Sequence, residues 1–347
     1  MESETWLSGV RSFSRGTAGI STAHALWVLA RPRLAPYVVT LTLVGFVWAH
    51  WDRALRLRGE QEWLLVAVSW LALHAGTLWL NSALDRDEGE VLYGRSVPPP
   101  PGVTGYGYAA LAVSVVVAFL AGPIAGACAS LCAVLSVLYS HPATRWKGHP
   151  IGGPVVNGLG YGLLSSLAGW SAAGVNANPR SVIIWLLSSF GVMGCYLAAQ
   201  AFQREEDAER GYRTFVVTHG PAATLHAARI CLGVGFVGGM LLAVFGWFPR
   251  ICLAGIPMWW WVDDWLRQWA NESDGGTAAH AQTMARRLLM AVLVCMALVF
   301  GEYVRESLAR EPVAGLGTVA GYPADRPRLP PAELIAWEKA SGKELLY

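Results

Sequence analysis

Asn81-Ser82-Ala83-Leu84-Asp85-Arg86-Asp87-Glu88-Gly89-Glu90 stands where a long apolar run stops. From Trp63 to Leu80 there is no Asp, Glu, Lys or Arg, and four acids then fall between 85 and 90. The same switch occurs again further on. Ser181 to Phe202 is uncharged, and Gln203-Arg204-Glu205-Glu206-Asp207-Ala208-Glu209 follows at once. Two acidic clusters, each at the mouth of an apolar helix, point to one cation site between two helix ends above an apolar chamber.

The composition agrees. The 347 residues are 54% hydrophobic and 14% charged, against about 25% charged in soluble domains. A polytopic membrane protein is therefore expected. A net charge of +2 gives no ground for a nucleic-acid partner. Many of the 17 Trp lie near the ends of apolar runs, as in an interfacial aromatic belt. The six Cys (128, 132, 195, 231, 252 and 295) all fall in apolar stretches. Cys128 and Cys132 share a helix face, but with no His or acid beside them they read as small core residues.

A crossing takes about 20 apolar residues, and nine stretches qualify: 36–51, 63–80, 106–121, 123–140, 155–173, 181–202, 225–245, 247–265 and 288–304. The third and fourth are joined only by Gly122-Pro123, a tight helical hairpin. The eighth is interrupted by Pro249, Arg250 and Pro257, so eight spans is the alternative count. Residues 1–24 read as an N-terminal segment in which Trp6, Leu7, Val10 and Phe13 recur at helical spacing, as in a helix lying on the membrane. Residues 25–304 form the transmembrane domain, and 305–347 a Pro- and Gly-rich tail outside the membrane. With nine spans both acidic clusters share a side, which carries twice as many Arg and Lys as the other. The positive-inside rule puts that side in the cytoplasm, of a bacterial cell membrane, although Arg53, Arg56 and Arg58 count against it.

On a helix, Asn81, Asp85 and Glu88 share one face, and Gln200, Gln203 and Asp207 share another with Glu206 beside it. Either cluster alone also reads as a solvated helix end. Together, on one side and each with a polar residue a turn deeper, they suit a Mg²⁺–diphosphate complex, because Mg²⁺ takes a few carboxylates with phosphate and water. The loop Tyr139-Ser140-His141-Pro142-Ala143-Thr144-Arg145-Trp146-Lys147 adds a phenol and two cations on the same side, and Arg and Lys neutralise diphosphate oxygens. Arg31 and Arg213 are weaker candidates of that type. His141, His149 and His219 lack metal-ligand spacing and read as structural. Asp263 and Asp264 have no matching cluster and read as a solvated helix end.

These residues resemble the UbiA superfamily of intramembrane prenyltransferases, over roughly Ala25 to Val304. Asn81 and Asp85 match the first two positions of its Asn-x-x-x-Asp-x-x-x-Asp motif. The third is Gly89 here, with Glu88 or Glu90 as stand-ins. Asp207, Gly211 and Thr214 match the second motif, whose leading Asp is replaced by Gln203, with Glu205 and Glu206 close by. Tyr139 with Arg145 or Lys147 resembles the family's Tyr-and-Lys loop at longer spacing. Arg31-Pro32 resembles the entry to the first helix, and Arg95 with Pro98 the segment after the first motif.

The resemblance implies an all-α fold of nine transmembrane helices around a central cavity. It also implies Mg²⁺-dependent transfer of a prenyl group from an isoprenyl diphosphate to a lipophilic or aromatic acceptor. Asn81, Asp85, Glu206 and Asp207 would hold the metal, with Glu88 and Gln203 in support. Arg145, Lys147 and Arg213 would hold the diphosphate. Asp85, Asp207 and Tyr139 would act at the reacting centre, with Tyr139 and Phe202 giving aromatic faces to an allylic cation. Two other readings compete: a membrane terpene cyclase using the same diphosphate, and a non-catalytic cation- or lipid-binding transporter. Transporters place ionisable groups near the midplane on broken helices. The Asp-, Glu-, Lys- and Arg-free spans before both clusters disfavour that.

Overall fold

In lipid, a spanning segment must pair its own backbone N–H and C=O groups, so uncharged runs become helices. The computed structural model describes residues 21–53, 57–85, 92–93, 97–272 and 275–308, with the side chain of Asp85 outside them. Every regular element among them is helical. The expected N-terminal surface helix, Glu88, Gly89, Glu90, Arg95 and the tail beyond 308 lie outside the described residues.

The helices are α1 (Thr22–Leu29), α2 (Ala35–Arg53), α3 (Glu60–Asp85), α4 (Val103–Ala121), α5 (Pro123–Ser140), α6 (Gly152–Asn157) and α7 (Ser165–Ala172). They continue as α8 (Pro179–Gln200), α9 (Arg204–Glu209), α10 (Phe215–His219), α11 (Pro221–Val244), α12 (Ile256–Ala270) and α13 (Ala278–Leu308). Proline opens α5, α8 and α11 at N1 or N2, where its missing N–H costs no helical bond. Ahead of α8 the Asn178 side chain accepts from Ser181 N at 2.7 Å, while Ser181 Oγ accepts from Asn178 N at 2.9 Å. That reciprocal cap fixes where the span begins.

Seven segments among the described residues are long and apolar enough to cross a membrane. Nine unbroken spans were expected, and two of those are jointed instead. Over 152–172, α6 and α7 are separated by a π-helix, Gly158–Leu164. Over 250–270, a 3₁₀ turn, Arg250–Gly255, precedes α12. Glycines at 158, 160 and 162 loosen the first; Pro249 and Pro257 bracket the turn in the second.

α3 packs along α4, α8 along α11, and α2 against α7. The last pair approaches very closely. A Cβ on Gly45 would lie 1.8 Å from Ser166 O, and one on Gly169 would lie 1.8 Å from Thr42 O. Small residues on both faces bring the backbones together, as membrane helices commonly do. The π-helix is held by side chains on the carbonyls it frees: Ser189 Oγ donates to Gly158 O at 2.9 Å, and Ser165 Oγ to Gly160 O at 3.0 Å. Trp70 Nε1 donates to Ser165 Oγ at 2.6 Å from α3.

Two of the arginines that count against the charge rule are committed to backbone. Arg53 donates to Asn176 O at 2.8 Å and Arg58 to Ala173 O at 3.1 Å; Arg56 lies outside the described residues. The solvated reading of Asp263 is overturned. Asp263 is buried and accepts from Arg229 Nε at 2.8 Å and Arg267 Nε at 2.7 Å. An arginine inside the α11 span must be paired, and Asp263 does this. Asp264 is exposed, as expected of a solvated helix end.

Gly169→Ala forces the α2–α7 backbones apart and lowers stability by about 1–3 kcal/mol. Gly301→Ala, where a Cβ meets no atom within 4 Å, leaves stability unchanged. Thermal unfolding in detergent, followed by monodispersity, checks both.

Candidate functional site

The ends of α3 and α5 meet. Ser140 Oγ donates to Asn81 Oδ1 at 3.4 Å, and Lys147 Nζ lies 3.4 Å from the same oxygen. Lys147 is reached by a short loop. Arg145 takes a left-handed conformation (φ 45°), and a 3₁₀ turn over Trp146–Gly148 then points the chain back inward. As a result Lys147 is only 6% exposed, whereas Arg145 is exposed. The ammonium also sits 5.6 Å from the centroid of the Tyr212 ring.

The second mouth closes on the same loop. Arg213 N donates to Gly148 O at 2.9 Å, and Tyr212 N to Asp207 O at 2.9 Å. Thr214 Oγ1 donates to Asp207 Oδ2 at 2.8 Å. Asp207 is buried, and Glu206 is ion-paired with Arg210. The fields of Lys147 and Asp207 act on each other. The structure thus brings Asn81, Lys147 and Asp207 to one place and leaves Arg145 and Arg213 on its rim.

Burial pushes the Asp207 carboxyl up to about 6, against the hydrogen bond from Thr214 and the Arg210 charge. Burial pulls the Lys147 ammonium down to about 7, helped by Arg210 and opposed by Asp207. Among the described residues no three His, Cys, Asp or Glu side chains cluster as a metal cage. The oxygens at the mouths come from amides as well as acids.

Gln203 does not share a helix face with Gln200 and Asp207, as was expected. α8 ends at Gln200, and Gln203 is the residue before a new helix, its carbonyl accepting from Asp207 N at 2.9 Å. Five acidic and basic side chains in the next six residues favour a separate, solvated turn over continuation of the span. Phe202 packs with Leu197, Phe215 and Leu266 in the core of α8, α11 and α12.

Below the mouth lies a cavity of about 40 Å³, bounded by Thr77, Ser136, Tyr139, Asn157 and Tyr161 among others. Sequence reading had expected apolar walls and missed this polar lining. Thr77 and Ser136 sit one turn below Asn81 and Ser140, and their hydroxyls are 2.8 Å apart. His74 Nδ1 lies 3.0 Å from the Tyr161 hydroxyl. The signal was there: His74, Thr77 and Asn81 recur at helical spacing in an otherwise apolar run. The contribution of Asn157 and Tyr161 depends on the π-helix, which spacing did not reveal. Tyr139 bonds Tyr196 (hydroxyls 3.1 Å apart) and Asn157. Tyr93, just past the first cluster, donates to Gln282 O at 2.8 Å and pairs with Tyr37 at 2.8 Å, tying α2 to α13.

His149 and His141 are structural, as expected. His149 Nδ1 accepts from Gly152 N at 3.0 Å at the start of α6, and His141 Nδ1 accepts from Ala143 N at 3.2 Å.

A bundle of apolar helices with two polar mouths joined above a small, partly polar cavity defines an integral membrane protein. A sequence model of the UbiA prenyltransferase family matches residues 38–289, and the chain belongs to that family. No protein of curated function matches it in sequence. Solved structures share the fold. A UbiA homolog from Archaeoglobus fulgidus bound to DMAPP and Mg²⁺ has a TM-score of 0.58 at 16% identity, over 79% of this chain and 99% of that one. A digeranylgeranylglyceryl phosphate synthase gives 0.57 at 16% identity, over 81% and 100%. The apo UbiA homolog from Aeropyrum pernix K1 gives 0.51 at 14% identity, over 78% and 98%.

The raised Asp207 value fixes a sign. A carboxyl whose folded value exceeds its unfolded one contributes stability that is full below about pH 4 and lost as pH rises through about 6. In metal-free protein, the thermal midpoint of wild type relative to Asp207→Asn should fall between about pH 4 and pH 6.5. A flat difference across that range would show that Asp207 is not buried as described.

Proposed function

We propose that this protein ionises an isoprenyl diphosphate with Mg²⁺ at the two joined mouths and transfers the prenyl group to a lipophilic or aromatic acceptor within the membrane. The observation that carries this reading is Lys147, a nearly buried ammonium between Asn81 and the field of Asp207. A cation so placed, beside oxygens from both motifs, suits an anion that is bridged to a metal.

The donor set fits a hard cation. Asn81, Asp85, Glu206 and Asp207, with Glu88 and Gln203 in support, offer carboxylate and amide oxygens, which Mg²⁺ takes together with phosphate and water. Mg²⁺ bound there would supply charge to stabilise the departing diphosphate. Lys147 meets diphosphate oxygens from inside, and Arg145 and Arg213 from the rim. The donor's carbon–oxygen bond breaks, and its electron pair leaves with the diphosphate. The acceptor's nucleophilic atom then bonds to the allylic carbon and gives up a proton.

Tyr139 lines the cavity, its hydroxyl held by Tyr196 and Asn157, so its ring is positioned beside a developing cation. The long apolar tail is more stable among the helices than in water. The acidic mouths face the cytoplasm of a bacterial cell membrane. Arg53 and Arg58 on the opposite side are held by the carbonyls of 176 and 173.

Diphosphate release tests the reading. The purified protein is offered geranyl, farnesyl and geranylgeranyl diphosphates with a membrane lipid extract, with Mg²⁺ or EDTA. Release should need Mg²⁺ and fall at least about a hundredfold in Asp85→Asn and Asp207→Asn. Mass spectrometry of the products separates transfer from cyclisation. Metal-independent release, or release that survives both substitutions, would sink the proposal.

A pH profile of Mg²⁺–diphosphate affinity gives a second check. Asp207 takes up a proton below about 6 and Lys147 loses one above about 7, so affinity should peak between these values. Lys147→Met should remove the alkaline limb and leave the acid one.

A further inference from the structure

The cavity below the mouth carries polar groups that the ionisation of a diphosphate does not use. Its volume of about 40 Å³ leaves room for a group of about three non-hydrogen atoms, too few for a prenyl chain or an aromatic ring. Among the described residues that line it there is no Asp, Glu, Lys or Arg, while Thr77, Ser136, Tyr139, Asn157 and Tyr161 bring hydroxyl and amide groups. A polar but uncharged pocket inside an apolar bundle suits a small neutral head group.

Three elements meet there in one chain of hydrogen bonds. Ser136 Oγ on α5 lies 2.8 Å from Thr77 Oγ1 on α3. Thr77 bonds Tyr161 of the π-helix, and the Tyr161 hydroxyl lies 3.0 Å from His74 Nδ1. The outer end of this chain is short of protons. Thr77 Oγ1 is also 2.8 Å from Leu73 O, and Ser136 Oγ 2.9 Å from Cys132 O, so two hydroxyl protons face more acceptors than they can serve. A hydroxyl that enters as a donor corrects the shortage. The inner end is unusual as well. His74 is buried, and its Nε2 has no hydrogen-bond partner. His50, the buried histidine of α2, has partners on both ring nitrogens, at the carbonyls of Phe46 and Arg58, as a ring that only packs should have.

We propose that the acceptor is a neutral lipid alcohol whose hydroxyl enters this cavity, and that Thr77 and Tyr161 relay its proton to His74. The inference rests on the transfer reading of the site. With its own proton on Nε2, His74 offers Nδ1 to the Tyr161 hydroxyl. As the alcohol oxygen bonds to the allylic carbon, its O–H bond breaks and the proton passes to Thr77 Oγ1. Thr77 gives its proton to the Tyr161 oxygen, and Tyr161 gives its own to His74 Nδ1. The organic product is an ether. The imidazolium so formed stands on the same helix as Asn81, two turns below the released diphosphate, and loses its proton to water when the products leave.

The test separates transfer from ionisation. Geranylgeranyl diphosphate and Mg²⁺ are given to the full chain in detergent with dodecanol, its methyl ether, dodecanoate or para-octylphenol, and products are read by mass spectrometry. Dodecanol should become the prenyl ether. Without donor or metal, dodecanol should raise the thermal midpoint and bind about tenfold more tightly than its methyl ether, which cannot donate. Tyr161→Phe, Thr77→Val and His74→Gln should each lower kcat for transfer about a hundredfold and leave Mg²⁺–diphosphate affinity unchanged, with ionised donor captured by water as the prenyl alcohol. Thr77→Ser keeps the hydroxyl and should restore transfer. Gln at 74 can still bond Tyr161 but takes no proton, so a histidine that only packs predicts wild-type transfer there. That result, equal binding of dodecanol and its methyl ether, or preference for dodecanoate or para-octylphenol would overturn the inference alone. So would diphosphate release without ether, or loss of Mg²⁺–diphosphate affinity in all three variants. No Mg²⁺-dependent release by the wild type would overturn it together with the reading on which it rests.

Discussion

An ammonium group held out of water between two helix ends is the constraint on which the site depends. Desolvation disfavours the charged form of Lys147, and the fold offsets this with contacts at different angles. Among them are the Asn81 oxygen at 3.4 Å, the Tyr212 ring at 5.6 Å and the field of Asp207. Asn81 closes α3, and Asp207 and Tyr212 belong to one segment past α8, so both must keep register with the loop that carries Lys147. The bond from Arg213 N to Gly148 O does much of that, and Gly148 has room for Tyr212 only because it lacks a Cβ, which would lie 2.8 Å from the ring. An anion with several oxygens would add to these contacts.

The bundle below answers two opposed demands. Close packing is met where α2 meets α7 backbone to backbone at Gly45 and Gly169. A cavity opens where the neighbouring segment widens into a π-helix, an arrangement often found at functional sites. Widening frees carbonyl groups in a region without water, and Ser165 and Ser189 satisfy them. The polar pairs Ser140–Asn81, Thr77–Ser136 and His74–Tyr161 descend in steps from the mouth.

Much of this was legible in the sequence, and what was not had physical reasons. Uncharged runs ending in acids identified the membrane bundle and both mouths, since period and charge are local properties. Asn81 and Asp207 came together as the spacing suggested, and Lys147 with them. Why Lys147 is inside while Arg145 is on the rim could not be read, because it depends on the left-handed turn at Arg145. Gln203 was misplaced because helix periodicity was carried past Gln200, where the span ends. Asp263 was misread because its partner Arg229 lies in another span, 34 residues away. The π-helix was missed because Gly158, Gly160 and Gly162 signal looseness without specifying its form.

The balance of charge at the two mouths bears on how the proposed site would fill. Two positions that carry acids in the family, 89 and 203, are Gly and Gln here, with Glu88, Glu90, Glu205 and Glu206 beside them, and Lys147 stands between the mouths. A bare divalent cation is opposed by that ammonium. A diphosphate reverses this, since it neutralises Lys147 and brings oxygens of its own. On the proposed reading metal and diphosphate would therefore bind together, each raising the affinity of the other by the same factor, as linkage requires. Amide oxygens suit that order, because they coordinate without adding the charge that would capture metal before substrate.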